Sequence, residues 1–307
     1  MTPPLDRRTF IRNSLKTALA AAAVGSVPVV DLLAMPARAA EAPPLAVRRG
    51  ADIPGLVRGV IEALGGMGKY VRNGSVVVVK PNIGWDRTVE QAANTHPAVV
   101  TTLVELCLEA GARRVRLFDR TCNDPRRCYA ASGIGAAVAQ LKSNRVELAH
   151  IDPRAFREVA IRGGLALTEW EFYQPALDAD VFINVPVAKH HSISRLTLGM
   201  KNLMGVIGGS RGRLHTDIAE SLADINSVLL SDLTVIDATR ILVANGPQGG
   251  RLEDVRRLDT VIASPDIVAA DAYAATLFDL RPNQVPSIVA GARRGLGVMD
   301  LARIRLV

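Results

Sequence analysis

The chain has 307 residues, 37 Lys and Arg against 30 Asp and Glu, a formal net charge of +7 and only three cysteines. The excess charge is modest and nearly half of it sits in the first 39 residues, leaving about +4 on the remaining 268; nucleic-acid binding does not follow from such a balance. The cysteine count excludes a disulfide-stapled scaffold and a four-cysteine zinc or iron–sulfur site.

Residues 1–39 read as an export signal. Arg7 and Arg8 are followed by Phe10, Arg12 and Lys16, then an apolar run from Thr17 to Val30 and the small residues Ala37 and Ala39 of "ARAA". A charged start, a short apolar middle and a small-residue end are the parts of a cleaved secretory signal. The paired arginines resemble a twin-arginine signal, with Asp6 where Ser or Thr is usual. This predicts the twin-arginine translocation machinery as a partner and a periplasmic or secreted destination. The run is shorter than the roughly 20 residues of a spanning helix, and Pro28 and Asp31 interrupt it. No stable membrane span is therefore expected after cleavage, although a retained anchor is the rival outcome.

Residues 40–307 read as one α/β domain. The apolar runs 75–80, 114–119, 145–151, 180–185, 233–238 and 258–264 predict strands, several of them apolar at every position, as in strands covered on both faces. Helices are predicted at 95–111, with Thr95 as cap and Gly111 as stop, at 216–230, capped by Thr216, and at 264–280. This alternation implies a largely parallel open sheet with helices on both faces. The stretch 151–178 is less regular and reads as an insertion or an antiparallel edge. Cys107 falls in a helical pattern and is expected in the core. Cys122 and Cys128, in the loop "CNDPRRC", could form a disulfide in an oxidising compartment, a metal pair being the less favoured reading.

Ligands of open parallel sheets bind beyond the carboxyl ends of the strands, so the residues after each apolar run are candidates. Lys80 ends the first run and Asn82 follows it, Asp119 ends the second with Arg120 after it, the fourth contains Asn184 and leads to Lys189, and the fifth carries Asp237 near its end. After Pro186 the backbone is expected to leave the sheet, placing Lys189, His190, His191 and Arg195 in a loop. A helix over "LTLGMKNLMGVI" would then carry Lys201 and Asn202. A glycine-rich loop with Arg211 and His215 follows and precedes a helix, where backbone amides can cradle an anion. Neighbours in an extended chain point to opposite faces, so one of His190 and His191 is a bystander.

Three readings are open. Lys80, Lys189, Lys201 and Arg211 would bind a small phosphate- or carboxylate-bearing ligand that Asn82, Asn184 and Asn202 orient, with His191 and His215 moving protons. Alternatively His191 and His215, with Asp119 or Asp237, would hold a metal or serve a redox cofactor. In the third reading the segment is a basic loop without a ligand. An enzyme is favoured over a non-catalytic binding or accessory protein, with its reaction and cofactor open.

The motifs "KPN", "THP", "GARRVRLFD", "NVPVAKHHS", "MKNLMG", "RGRLH" and "NGPQGG" occur in the order found in the family designated domain of unknown function 362, which the chain resembles over about residues 75–300. The resemblance selects Lys189 and His191, rather than His190, as matching positions, with Lys201, Asn202, Gly205 and His215. Val187 stands where relatives often have lysine. Many relatives carry an appended ferredoxin-like module with cysteines for 4Fe–4S clusters. No ferredoxin-type iron–sulfur motif occurs in this sequence, so cluster binding is not carried over.

Overall fold

In the computed structural model, residues 42–307 are described; the expected signal at 1–39 lies outside them. The strands are β1 (Pro44–Arg49), β2 (Val76–Pro81), β3 (Arg114–Leu117), β4 (Val146–Leu148), β5 (Phe156–Ala160), β6 (Glu169–Tyr173), β7 (Val181–Val185), β8 (Val187–His191), β9 (Arg195–Thr197), β10 (Leu233–Leu242), β11 (Val255–Ser264) and β12 (Arg305–Leu306). The helices are α1 (Ile53–Ala63), α2 (Pro97–Glu109), α3 (Pro125–Ala131), α4 (Ile134–Gln140), α5 (Gln174–Leu177), α6 (Gly199–Asn202), α7 (Ile218–Val228), α8 (Ile267–Ala275) and α9 (Pro286–Arg293).

The main sheet runs β12-β1-β11-β10-β7-β2-β3-β4, with β8 pairing β10 and β9. From β10 to β4 all neighbours are parallel, whereas β11 is antiparallel to both β10 and β1. Its central strands begin as nearly unbroken apolar runs because both faces are covered, with Lys80 and Asn184 toward the carboxyl ends of β2 and β7. Val77 and Val79 pack with α1 and α2 on one side, and Val78 with Phe182 and the α7–α9 side on the other. Each fully buried valine contributes roughly 1.5 kcal/mol or more relative to exposure. The protein is thus α/β, with a largely parallel open sheet and helices on both faces, and residues 43–307 form one compact unit. Among the described residues no helix is long and apolar enough to cross a membrane.

Several local expectations change. The segment after Pro186 is not a loop: β8 pairs with β10 and, antiparallel, with β9. The helix expected over 196–207 is a single α turn, Gly199–Asn202, followed by a 3-10 turn, Leu203–Val206. The cap of α2 is His96, whose Nδ1 accepts from the Ala98 amide. Thr95 instead donates its hydroxyl to the Val185 carbonyl and accepts the Asn82 amide. The stretch 151–178 contains an antiparallel hairpin, β5–β6, outside the main sheet. Cys107 is buried, and Cys122 and Cys128 are free thiols.

Candidate functional site

Chain order makes β2 the pivot of the sheet. From it the chain runs outward to β3 and β4, then returns to add β7 and β10 on the other side. The crevice beyond the carboxyl ends of β2 and β7 is a topological switch point, and a cavity of about 590 Å³ lies there. Lys80, Asn82, Asp119, Lys189, His191, Lys201, Asn202, Arg211 and His215 all line it.

Asn202 joins the two strands. Its Oδ1 accepts from Lys80 Nζ at 2.9 Å and Asn82 Nδ2 at 3.0 Å. Its Nδ2 donates to the Lys80 carbonyl at 3.3 Å and Asn184 Oδ1 at 2.8 Å. Asn184 Nδ2 in turn donates to the Gly199 carbonyl. Asn184 is fully buried and does not line the cavity; it orients Asn202 and so acts behind the site. The α6 turn is anchored from below by Asp271, which accepts the Gly199 amide at 2.6 Å and the Met200 amide at 2.9 Å.

The two innermost lysines, each 1% exposed, have different partners. Lys80 Nζ donates to the Asn202 carbonyl at 2.7 Å and Asn202 Oδ1 at 2.9 Å and forms an ion pair with Asp119 Oδ1 at 2.9 Å. Asp119 Oδ2 accepts the Ile83 amide. Burial pushes Lys80 below the usual lysine range, with Asp119 opposing the shift. Gly205 completes this corner: its carbonyl accepts the Arg120 amide, and a Cβ there would overlap the Asp119 carboxylate and Lys80 Nζ. Lys189 Nζ bonds only to neutral groups, Asn82 Oδ1 at 3.1 Å and the Ala93 carbonyl at 2.5 Å. Burial lowers it to about 7. Lys201 lies against the Met204 thioether, Nζ to Sδ 2.9 Å, and burial lowers it to about 8.

The imidazoles have complementary edges. His191 Nδ1 accepts the Ile193 and Ser194 amides at 3.1 and 3.3 Å, which places the ring proton on Nε2. Burial first, then the nearby Lys201, His215 and Lys189 charges, lower His191 to about 3. His215 Nδ1 lies 3.2 Å from the Gly212 carbonyl, to which it can only donate, leaving Nε2 as an acceptor.

The arginines are already engaged. Arg211 donates to the carbonyls of Arg120, Thr121 and Met204, and Arg120 to those of Ile207 and Gly209. The β5–β6 hairpin braces the glycine loop: Glu171 accepts the Gly208 amide on its carbonyl and the Gly209 amide on Oε2. The loop runs into a 3-10 segment, Arg211–Asp217, rather than directly into a helix, so its amides do not form the N-terminus of α7.

Asp237 is a correction. It lies within β10, not at its end, and accepts the His96 amide on Oδ2 and the Thr239 amide and hydroxyl on Oδ1. It does not line the cavity. Among the described residues no three His, Cys, Asp or Glu side chains come together to hold an ion, so the metal set of His191 and His215 with Asp119 or Asp237 is not assembled. His190 points away from this cavity and accepts the Gly246 amide. Trp85, Cys122, Thr197 and Met204 also line the cavity. Of these only Cys122, three residues beyond Asp119 on the same strand-end loop, carried a positional signal.

A family model described as Domain of unknown function (DUF362) matches residues 77–276. A thylakoid-associated protein of Synechocystis sp. is 30% identical over 254 residues, covering 78% of this chain and 74% of that protein. A crystal structure of a Thermotoga maritima protein aligns with a TM-score of 0.48 at 12% identity, covering 74% of this chain and 58% of that one. The lactate racemase apoprotein of Thermoanaerobacterium thermosaccharolyticum aligns with a TM-score of 0.46 at 9% identity, covering 77% and 57%. The chain therefore spans less than two thirds of either solved structure. With the family model matched over 77–276, across the strands and turns that build the cavity, the chain belongs to the DUF362 family.

Proposed function

We propose that the strand-end cavity binds a small carboxylate- or phosphate-bearing ligand and that the His191–His215 pair serves proton chemistry on it. The observation that carries this reading is a charge imbalance. Among the described residues, the cations Lys80, Arg120, Lys201 and Arg211 line the cavity beside Lys189, against a single carboxylate, Asp119, which is already paired with Lys80. Lys201 donates to a thioether, a weak acceptor, and not to a carboxylate. Buried or half-buried cations without counter-charge are costly, and an anion in the cavity offsets that cost. His191, kept neutral by burial, would hold the ligand with a hydrogen bond from Nε2, and His215 would accept a proton at Nε2, which suits a general base.

Export is part of the proposal. The Arg7–Arg8 pair, the apolar run and "ARAA" support delivery by the twin-arginine machinery to the periplasm or beyond. Fusing residues 1–41 to a reporter that is active only after export, with Arg7 and Arg8 replaced by Lys as control, tests this; a reporter unaffected by the replacement overturns it.

Native mass spectrometry of the purified protein, followed by calorimetric titration with phosphate and pyruvate, tests the anion site. A co-purifying anion, or saturable binding lost in Lys201→Met, supports it. Absence of both overturns it.

A further inference from the structure

The anion reading leaves Lys189 without a role, although it is among the most enclosed side chains of the cavity wall. An ammonium at that depth ordinarily has a carboxylate partner. The cavity's one carboxylate is bound to Lys80, and Lys189 Nζ has only the Asn82 amide oxygen and the Ala93 carbonyl. These are the partners that suit a neutral amine. Nζ has two acceptors, at 3.1 and 2.5 Å, enough for the two N–H bonds of a neutral amine, whose lone pair would then be free. The environment agrees, since burial holds the group near 7, where a substantial fraction is unprotonated at neutral pH. Desolvated lysines beside other cations are the ones that act as amine nucleophiles.

The neighbouring groups define what such an amine would meet. Lys201 is the ammonium not spent on an oxygen or nitrogen acceptor, and His191 contributes one N–H. Both arginines are tied to backbone carbonyls. One free ammonium matches the single charge of a carboxylate better than a phosphate dianion.

We propose that Lys189 is a nucleophilic amine that condenses with the ketone or aldehyde carbon of a 2-oxo acid whose carboxylate is held by Lys201. The proposal rests on the anion reading above and sharpens it. The Lys189 nitrogen forms a bond to the carbonyl carbon, and the carbonyl π pair moves to oxygen, which takes up a proton. The carbinolamine then loses its oxygen as water while nitrogen gives up its remaining protons. Overall, an amine and a carbonyl give an imine and one water, with no oxidant or reductant. The His191 N–H would polarise the carbonyl oxygen, and His215 Nε2 would relay the protons.

The full-length protein is incubated with pyruvate, 2-oxobutyrate or glyoxylate, reduced with sodium borohydride and mapped by peptide mass spectrometry. In parallel, loss of carbonyl 18O from labelled pyruvate to water is followed without any trapping reagent, since imine formation and hydrolysis exchange that oxygen. The expected result is a reduced adduct on Lys189, and an 18O loss that disappears in Lys189→Met. That variant removes the amine and keeps the side-chain length, and its circular dichroism, expected to match that of the wild type, serves as the folding control. An adduct on another lysine overturns the proposal. So does pyruvate binding, seen by calorimetry, with neither adduct nor Lys189-dependent exchange. Absence of pyruvate binding as well would instead count against the anion site on which it rests.

Discussion

The imidazole of His191 stacks on that of His215, ring centroids 6.0 Å apart and planes within 19°. The two rings come from different elements, the end of β8 and the 3-10 segment after the glycine loop. Their hydrogen bonds assign opposite tautomers: a donor at His191 Nε2 and an acceptor at His215 Nε2. Stacked cations would repel, and burial together with neighbouring charge holds His191 at about 3. In long-range 1H–15N spectra, His191 should show an unprotonated Nδ1 and a protonated Nε2, unchanged between pH 5 and 8. A His191 that titrates within that range would remove it as a fixed donor.

The Lys80–Asp119 pair is the interior's one fixed charge pair in the cavity wall, with side chains 1% and 2% exposed. Replacing Asp119 by Asn leaves a buried ammonium with neutral partners. Breaking such a pair costs about 3–5 kcal/mol. Asp119→Asn should therefore lower the urea midpoint strongly at pH 7, and adding Lys80→Met should recover part of the loss. A double variant no better than the single one would mean that the two groups are not coupled.

Gly205 is required for a steric reason, not for its φ. A methyl there overlaps the Asp119 carboxylate and the Lys80 ammonium, both fixed by other bonds. Gly205→Ala should cost about 1–3 kcal/mol, the range for overpacking, and displace the Lys80 corner. An unchanged unfolding midpoint would show that the corner can yield.

Much of this was legible because the sheet's chemistry is local. The run "SVVVVK" reads as a strand covered on both faces, and Lys80, Asn82 and Asp119 follow from where such strands end. The β8–β9 hairpin was not legible, because "VAKHHS" carries its polar residues inside a strand. Lys189 and His191 are buried in the cavity wall rather than by apolar packing, so hydrophobic periodicity is silent there. Asp119 and Asp237 looked alike in sequence, each an acid after an apolar run. They differ because β10 continues to Leu242, which leaves Asp237 mid-strand where the His96 amide of α2 reaches it. Strand length and that long-range contact are tertiary facts, as is the absence of a counter-ion for Lys189.

The lysines make stability depend on pH in a defined direction. Lys189 titrates near 7 and Lys201 near 8 in the fold, whereas an unfolded lysine titrates near about 10.4. Between those values the unfolded chain binds the extra proton, so stability rises with pH from about 7 to 10. Asp271, which burial raises to about 7, works in the opposite direction, but between about 4 and 7. The ligand-free protein should thus resist denaturant better at pH 9 than at pH 7. That slope should shrink in Lys189→Met and Lys201→Met. A wild-type slope equal to that of the double variant would mean that neither lysine is shifted.

Ligand binding should reverse the sign at Lys201. A carboxylate beside its ammonium favours the charged form, so the group returns toward its ordinary value and the complex holds a proton that the free protein lacks above about pH 8. Binding of pyruvate should then take up a proton and weaken as pH rises, by up to about tenfold per pH unit for each proton gained. Calorimetry in buffers of different ionisation enthalpy measures that uptake directly. In Lys201→Met the charge-assisted bond, worth about 1.5–3 kcal/mol, is gone, and affinity should fall roughly ten- to hundredfold. The proton uptake should vanish with it. Uptake that persists in Lys201→Met would assign the titrating group to another residue, and unchanged affinity would remove Lys201 as the anion's partner.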